Sequence, residues 1–278
     1  MKILEYNILR IALRKDFTKM EKYDTSAITP EISKSFESAC KRIIDNPRER
    51  PGIGTLGEKT LHAVLKNTLE PDQSRHEIKV GRFYADIANE NGIIEIQTRN
   101  FNALRKKLEA FLQENTVTLV YPIPSSKWLI WIDKETGEFT PRRKSPKTGS
   151  VYDAFGELYK IKWFLTHPNL DLCLVFLDIV EYRNLDGWSS DRKKGSSRSE
   201  RIPERLADIV HVRNVHDYMN VFVPDTLPDE FTAKDYKKAT GMPLRGAQLA
   251  MNVLKYVGAL TQTGKRGGAF VYRRGSDS

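Results

Sequence analysis

The sequence predicts an α/β protein, a mixed sheet flanked by helices, followed by a small C-terminal unit of two helices and a hairpin. Three observations predict it. Between positions 55 and 132, short β-branched and aromatic runs alternate with helix-period segments in the order helix, three strands, helix, strand, strand. A further apolar strand follows at Asp171–Ile179. The last fifty residues then change character, with two short helical patterns and a glycine-tipped basic hairpin.

Each element has a local cause. Residues 1–50 form a helical lead-in: Leu4, Ile8, Ile11 and Ala12 recur at helical spacing, as do Ile32, Phe36, Ala39, Ile43 and Ile44. Thr29-Pro30-Glu31 supplies a cap and a first-turn proline for the second of these helices. Asn46 to Gly52 punctuates the chain and opens the main domain, 51–222. Thr55 caps a helix running to about Leu69, with Glu58 as its capping-box partner. Strands are predicted at His76–Val80, Phe83–Asn89 and Gly92–Thr98, the last two joined by the Glu90-Asn91 turn. Asn102–Glu114 is helical through Leu104, Leu108, Phe111 and Leu112, and Thr116–Tyr121 and Trp128–Ile132 are two buried strands. Val151–Phe164 is a helix with Phe155, Leu158, Tyr159 and Trp163 on one side. The segment 183–205 is so polar that its composition argues against a packed element.

Lysine and arginine outnumber acids 45 to 36, a net charge of +9 that favours a polyanionic partner. The two cysteines, Cys40 and Cys173, have no metal-ligand spacing, which fits a reduced, cytoplasmic protein. No signal peptide or spanning segment is expected, because Glu5, Arg10 and Arg14 interrupt the N-terminal apolar run and Asp178 breaks the greasiest stretch. No membrane partner and no small-molecule cofactor are expected.

The most informative stretch is Asp86 to Gln97. Asp86 ends one strand, a tight turn follows, and the next strand carries Glu95 and Gln97 on one face with Ile94 and Ile96 on the other. Asp86 and Glu95 are hard oxygen donors suited to Mg²⁺, set among buried strand residues where an unpaired acid is costly. Solvated hairpin acids are the competing reading. Glu58 shares a helical stripe with Leu61 and Leu65, so its carboxylate points toward the sheet.

The Asp-x₈-Glu-x-Gln pattern after an inward glutamate resembles the metal site of the PD-(D/E)XK nuclease superfamily, with Gln97 where most members have lysine. The resemblance implies a restriction-endonuclease-like core. It also implies a Mg²⁺ ion, replaceable by Mn²⁺, on Asp86, Glu95 and the carbonyl of Ile96. It places Glu58, Asp86, Glu95 and Gln97 as catalytic residues in phosphodiester hydrolysis. The missing positive charge is expected from Arg99, Lys79 or the partner subunit of a homodimer. The alternative is a non-catalytic DNA-binding or regulatory protein in which Gln97 marks a decayed site.

Two basic regions complete the reading. Arg192, Lys193, Lys194 and Arg198 in the 183–205 segment suit a loop that tracks phosphates. Residues 229–274 resemble a winged helix-turn-helix. Their second helix, from Leu244 to Tyr256, buries Leu244, Ala247, Met251, Leu254 and Val257, and presents Arg245, Gln248, Asn252 and Lys255 outward. Lys265 and Arg266 stand at the wing tip, Gly264–Gly268. The implied partner is DNA.

Overall fold

The computed structural model describes residues 28–44, 60–133, 135–188 and 194–275. Thr55, Glu58, Arg192 and Lys193 lie outside them, as do residues 1–27. Helix α1 (Pro30–Ile44) starts where Thr29-Pro30 predicts, the Thr29 hydroxyl accepting from the Ile32 amide at 3.3 Å. Helix α2 runs Thr60–Leu69, and strands β1 (His76–Val80), β2 (Phe83–Asn89) and β3 (Gly92–Ile96) follow, the third ending short of Thr98.

Beyond these lie β4 (Val117–Ile132), the two-residue β5 (Arg143–Lys144), β6 (Leu170–Trp188) and β7 (Lys194–Val212); hydrogen bonding orders the main sheet β1-β2-β3-β4-β6-β7, with β5 on β4. The first three strands form an antiparallel meander. Then β3, β4 and β6 run parallel, and β7 returns antiparallel. Parallel neighbours require crossovers. Helix α3 (Arg105–Phe111) joins β3 to β4, and a helical stretch containing α4 (Phe155–Leu158) precedes β6. The β2–β3 turn depends on Gly92. Its φ is 117°, and a Cβ there would lie 2.4 Å from the Thr116 carbonyl, which instead accepts from Ile93 N–H at 2.8 Å.

Helices cover both faces of the sheet, and β6 shows how. Leu170, Leu172, Leu174 and Phe176 pack with Leu108 and Phe111 of α3, whereas Cys173, Val175, Leu177 and Ile179 pack with Phe36 of α1 and Leu61 and Leu65 of α2. A strand buried on both faces reads as an unbroken apolar run, which is why this one stood out in the sequence.

Three expectations are corrected. Thr116–Tyr121 and Trp128–Ile132 belong to one strand, β4, which passes through a bulge between Pro124 and Lys127 instead of breaking. The segment 183–205 is largely strand: β6 and β7 form a long antiparallel ribbon, because its basic side chains find an acid to surround and its backbone finds a ladder. Within Val151–Phe164 the helix tightens to 3₁₀ geometry and kinks at Ile161 (φ −123°). The kink buries Ile161 and turns Tyr159 and Trp163 out to solvent, where Arg105 covers the Trp163 ring at 4.4 Å.

The C-terminal elements are α5 (Val215–Phe222), α6 (Ala233–Thr240), α7 (Leu244–Tyr256), β8 (Leu260–Arg266) and β9 (Ala269–Arg274). Thr232 caps α6 in a capping box with Asp235, and Gly241 (φ 72°) ends it. On α7, Ala247, Met251 and Leu254 are buried as predicted, as is Val257 at its C-cap, together with Ala250 and Val253. Leu244 is exposed, since it sits in the first turn beyond the packed layer. The hairpin turns on Gly267-Gly268 alone (φ 54° and 82°), so Lys265 and Arg266 lie in β8 just before the tip. This unit shares its core with the helices under the sheet. Tyr236 donates its hydroxyl to the Phe222 carbonyl at 2.7 Å, and its ring meets Tyr152 edge-on at 6.2 Å.

Candidate active site

The β2–β3 hairpin brings the predicted acids together. Its register pairs Ile87 with Ile94, which places Asp86 across from Glu95. Asp86 N–H donates to Glu95 Oε1 at 3.2 Å, and Asp86 Oδ2 accepts from Ile96 N–H at 2.8 Å, so each carboxylate is fixed by the other strand's backbone. Ile96 packs into the α1–α2 side of the core, while Glu95 is 2% exposed on the other side, beside α3.

His62, which the sequence already set near the site, and Lys107, which it did not place, complete the cluster. His62, from α2, sets Nε2 3.1 Å from Asp86 Oδ2 and 3.1 Å from the Ile96 carbonyl. Lys107, from α3, lies 2.7 Å from Glu95 Oε2. The helical spacing that buries Leu104, Leu108 and Phe111 also carries Lys107 to the sheet, a signal present in the sequence but indistinguishable there from a solvated lysine. Lys79 is exposed on β1 and does not line the cleft, whereas Arg99 does. Gln97 lines it too, with its amide nitrogen donating to the Arg99 carbonyl.

The acids titrate in opposite directions. Burial, reinforced by the Asp86 charge and only partly offset by Lys107, raises Glu95 to about 7. Burial pushes Asp86 up as well. The hydrogen bond and charge of His62, the Ile96 amide and the Lys107 charge outweigh it and hold Asp86 below the ordinary aspartate value. Unfolded, Glu95 releases its proton near 4.5; folded, it keeps that proton to about 7. The folded state therefore binds more protons across that window, and stability without divalent metal falls as pH rises through it. Glu95→Gln is expected to flatten the Tm–pH profile between 4.5 and 7 in EDTA and to raise Tm at pH 8. A calorimetric pH series checks this.

The donors suit a hard divalent cation by chemistry: two carboxylates and the Ile96 carbonyl. His62 Nε2 now lies 3.1 Å from both Asp86 Oδ2 and the Ile96 oxygen, so a cation held by those two atoms would displace this imidazole contact. Among the described residues, no three His, Cys, Asp or Glu side chains form a ready-made cage, so a cation held by these acids would need the backbone carbonyl or further donors. The cluster opens into a cleft of about 400 Å³ whose far wall carries Arg198, Glu200 and Arg201 of β7.

The remaining predicted residues are spread over the molecule. Lys194 opens β7. Arg245, Gln248, Asn252 and Lys255 are exposed along the outer side of α7, with Asn252 accepting from Lys162 at 2.9 Å and Lys255 donating to Gln262 at 2.8 Å. Lys265 covers the Phe270 ring at 5.0 Å, and Arg266 stands 3.6 Å from Glu230. No described helix is long and apolar enough to cross a membrane.

Residues 59–213 match the family described as Domain of unknown function (DUF8091), and this stretch is more than half of the 278-residue chain. The chain belongs to that family. An uncharacterized protein of Treponema pallidum (strain Nichols) is 29% identical over 231 residues, covering 80% of this chain and 87% of its own. No solved structure matches. The family match runs from the start of α2 to the end of β7, and so takes in Asp86, Glu95, Lys107 and both arginines of the far wall.

Proposed function

We propose that this member of the family is a divalent-metal-dependent phosphodiesterase that hydrolyses DNA. The observation that carries the reading is the meeting of Asp86, Glu95 and the Ile96 carbonyl at the mouth of a cleft walled by arginine. The element order supports it: α2, three antiparallel strands, α3, then a strand parallel to the third is the order expected of a restriction-endonuclease-like core. The finer placement in the PD-(D/E)XK superfamily belongs to this proposal.

Asp86, Glu95 and the Ile96 carbonyl would hold Mg²⁺ or Mn²⁺. When bound, the ion supplies Lewis acidity and neutralises phosphate charge. Lys107 keeps a cation beside Glu95, the charge that Gln97 lacks, and steadies negative charge developing on phosphate. Gln97 spends its amide nitrogen on Arg99, so its carbonyl oxygen is the end that orients the attacking water. His62 exchanges a proton at Nε2, the atom shared between Asp86 and the Ile96 carbonyl. Glu58, outside the described residues, stays in the proposal as an additional carboxylate.

One observation favours a second reading, a DNA-binding protein without catalysis. His62 and Lys107 already contact the two carboxylates, so each acid has a side-chain partner within the protein. Plasmid nicking separates the two. Nicking with Mn²⁺ or Mg²⁺ that stops in EDTA supports the hydrolase, and intact plasmid under all conditions leaves the binding protein.

Within the same proposal, α7 and the β8–β9 hairpin act as a winged helix-turn-helix that holds DNA through Arg245, Gln248, Asn252 and Lys255, with Lys265 and Arg266 on the backbone. Arg245→Ala with Lys265→Ala is expected to weaken duplex binding about tenfold and to shallow its salt dependence, since phosphate contacts set that slope. Fluorescence anisotropy over a salt series checks it, and unaltered affinity would point to a protein partner for this face.

A further inference from the structure

On the β6–β7 ribbon, Glu181 is fully buried yet ionised, and its neighbours are all basic. Arg183 Nε lies 2.8 Å from Oε1; Arg201 Nε at 3.0 Å, Arg198 Nε at 3.2 Å and Lys127 Nζ at 3.8 Å crowd Oε2. Strand register makes the cluster. Arg201 sits across from Glu181, Arg198 across from Arg183, and Lys127 across from Ile179 on the neighbouring strand. Four cations therefore share one carboxylate.

Such a surplus is costly. Burial and mutual repulsion drive Lys127 and Arg198 below their ordinary values, and Arg99 adds to the repulsion at Arg198. Arg198 and Arg201 reach Glu181 through Nε, which leaves the terminal nitrogens of each fork outside these contacts. Both residues line the same cleft as Asp86 and Glu95, and so does Arg99. A buried acid that aligns arginines at a cleft wall without neutralising them builds an anion site; bidentate guanidinium forks suit phosphate oxygens in particular.

We propose that Arg198 and Arg201, aligned by Glu181 and joined by Arg99, form a phosphate-binding subsite that holds a DNA phosphate other than the one at the carboxylates. The bond at Asp86 and Glu95 would then be chosen by its distance from a second phosphate, either an internal phosphodiester or a 5′-terminal phosphate. This inference deepens the hydrolase reading, but it is testable without cleavage.

The test is run in EDTA. Wild-type protein is titrated with inorganic phosphate against chloride at matched ionic strength, and its Tm is followed; a saturable rise is expected. Arg198→Gln/Arg201→Gln is expected to lose that rise, to bind duplex DNA at least tenfold more weakly, and to shallow the salt slope by about 0.9, the share of one phosphate. Duplexes with 5′-phosphate or 5′-hydroxyl ends distinguish the sources. A wild-type preference for the phosphorylated end, lost in the variant, assigns the terminal group, and equal losses on both assign an internal one. If the double variant does not fold, wild-type phosphate titration and Arg201→Lys, which keeps charge but loses the fork, decide. No saturable response in wild type, or unchanged affinity and slope in a folded variant, overturns the subsite. A protein that binds phosphate here yet never nicks plasmid would keep this inference and reject the hydrolase.

Discussion

Asp86→Asn is expected to lower Mn²⁺-dependent DNA cleavage by about a thousandfold, comparable to losing one essential stabiliser of transition-state charge. Asparagine keeps an oxygen that accepts from the Ile96 amide, so the hairpin register survives. It loses the negative charge that attracts a cation and faces His62. A structural readout accompanies the kinetic one. The Asp86 charge helps hold Glu95 near 7, so its removal should move the Glu95 titration toward lower pH. Single-turnover nicking gives the first result and carbon-detected NMR titration the second. Full activity in a folded Asp86→Asn protein would remove these carboxylates from the chemistry.

Glu181→Ala is expected to destabilise the fold by about 3–5 kcal/mol, the range for deleting one partner from a buried ionic cluster and leaving the others uncompensated. Chemical denaturation at neutral pH measures it. Burial alone would raise Glu181, but Arg183, Arg198, Arg201 and Lys127 outweigh it and hold the acid below its ordinary value. Its stabilising contribution is therefore complete above about pH 4.5 and fades only as acid titrates the folded form. Glu95 behaves oppositely, its cost growing over the window in which Glu181 is already ionised. A loss below 1 kcal/mol would mean that the surrounding cations relax apart at little expense.

Much of this fold was legible because local signals and burial agreed. Thr29-Pro30 at the start of α1 and the aromatic pair Phe83-Tyr84 that opens β2 each fix an element boundary through a few neighbouring atoms. The β2–β3 hairpin placed Asp86 against Glu95 for the same reason, since the turn sets the register. What escaped was non-local. Lys107 reaches Glu95 from α3, and no spacing within that helix names its target. The 183–205 ribbon was misread because composition describes average solvation, whereas a ladder needs only a partner strand and a side-chain arrangement that satisfies it. Here that arrangement is four bases around Glu181, separated in sequence from Lys127 to Arg201.

Tyr236, Phe222 and Tyr152 lock α6 and α7 onto the layer beneath the sheet, and Arg274 ties the last strand to the Val223 carbonyl at 3.0 Å. Packing and hydrogen bonds thus hold this unit against the main sheet's layer. If α7 grips a duplex while the carboxylates act, the protein works as a calliper of fixed span, and its incisions would fall at one constant interval from the bases it touches.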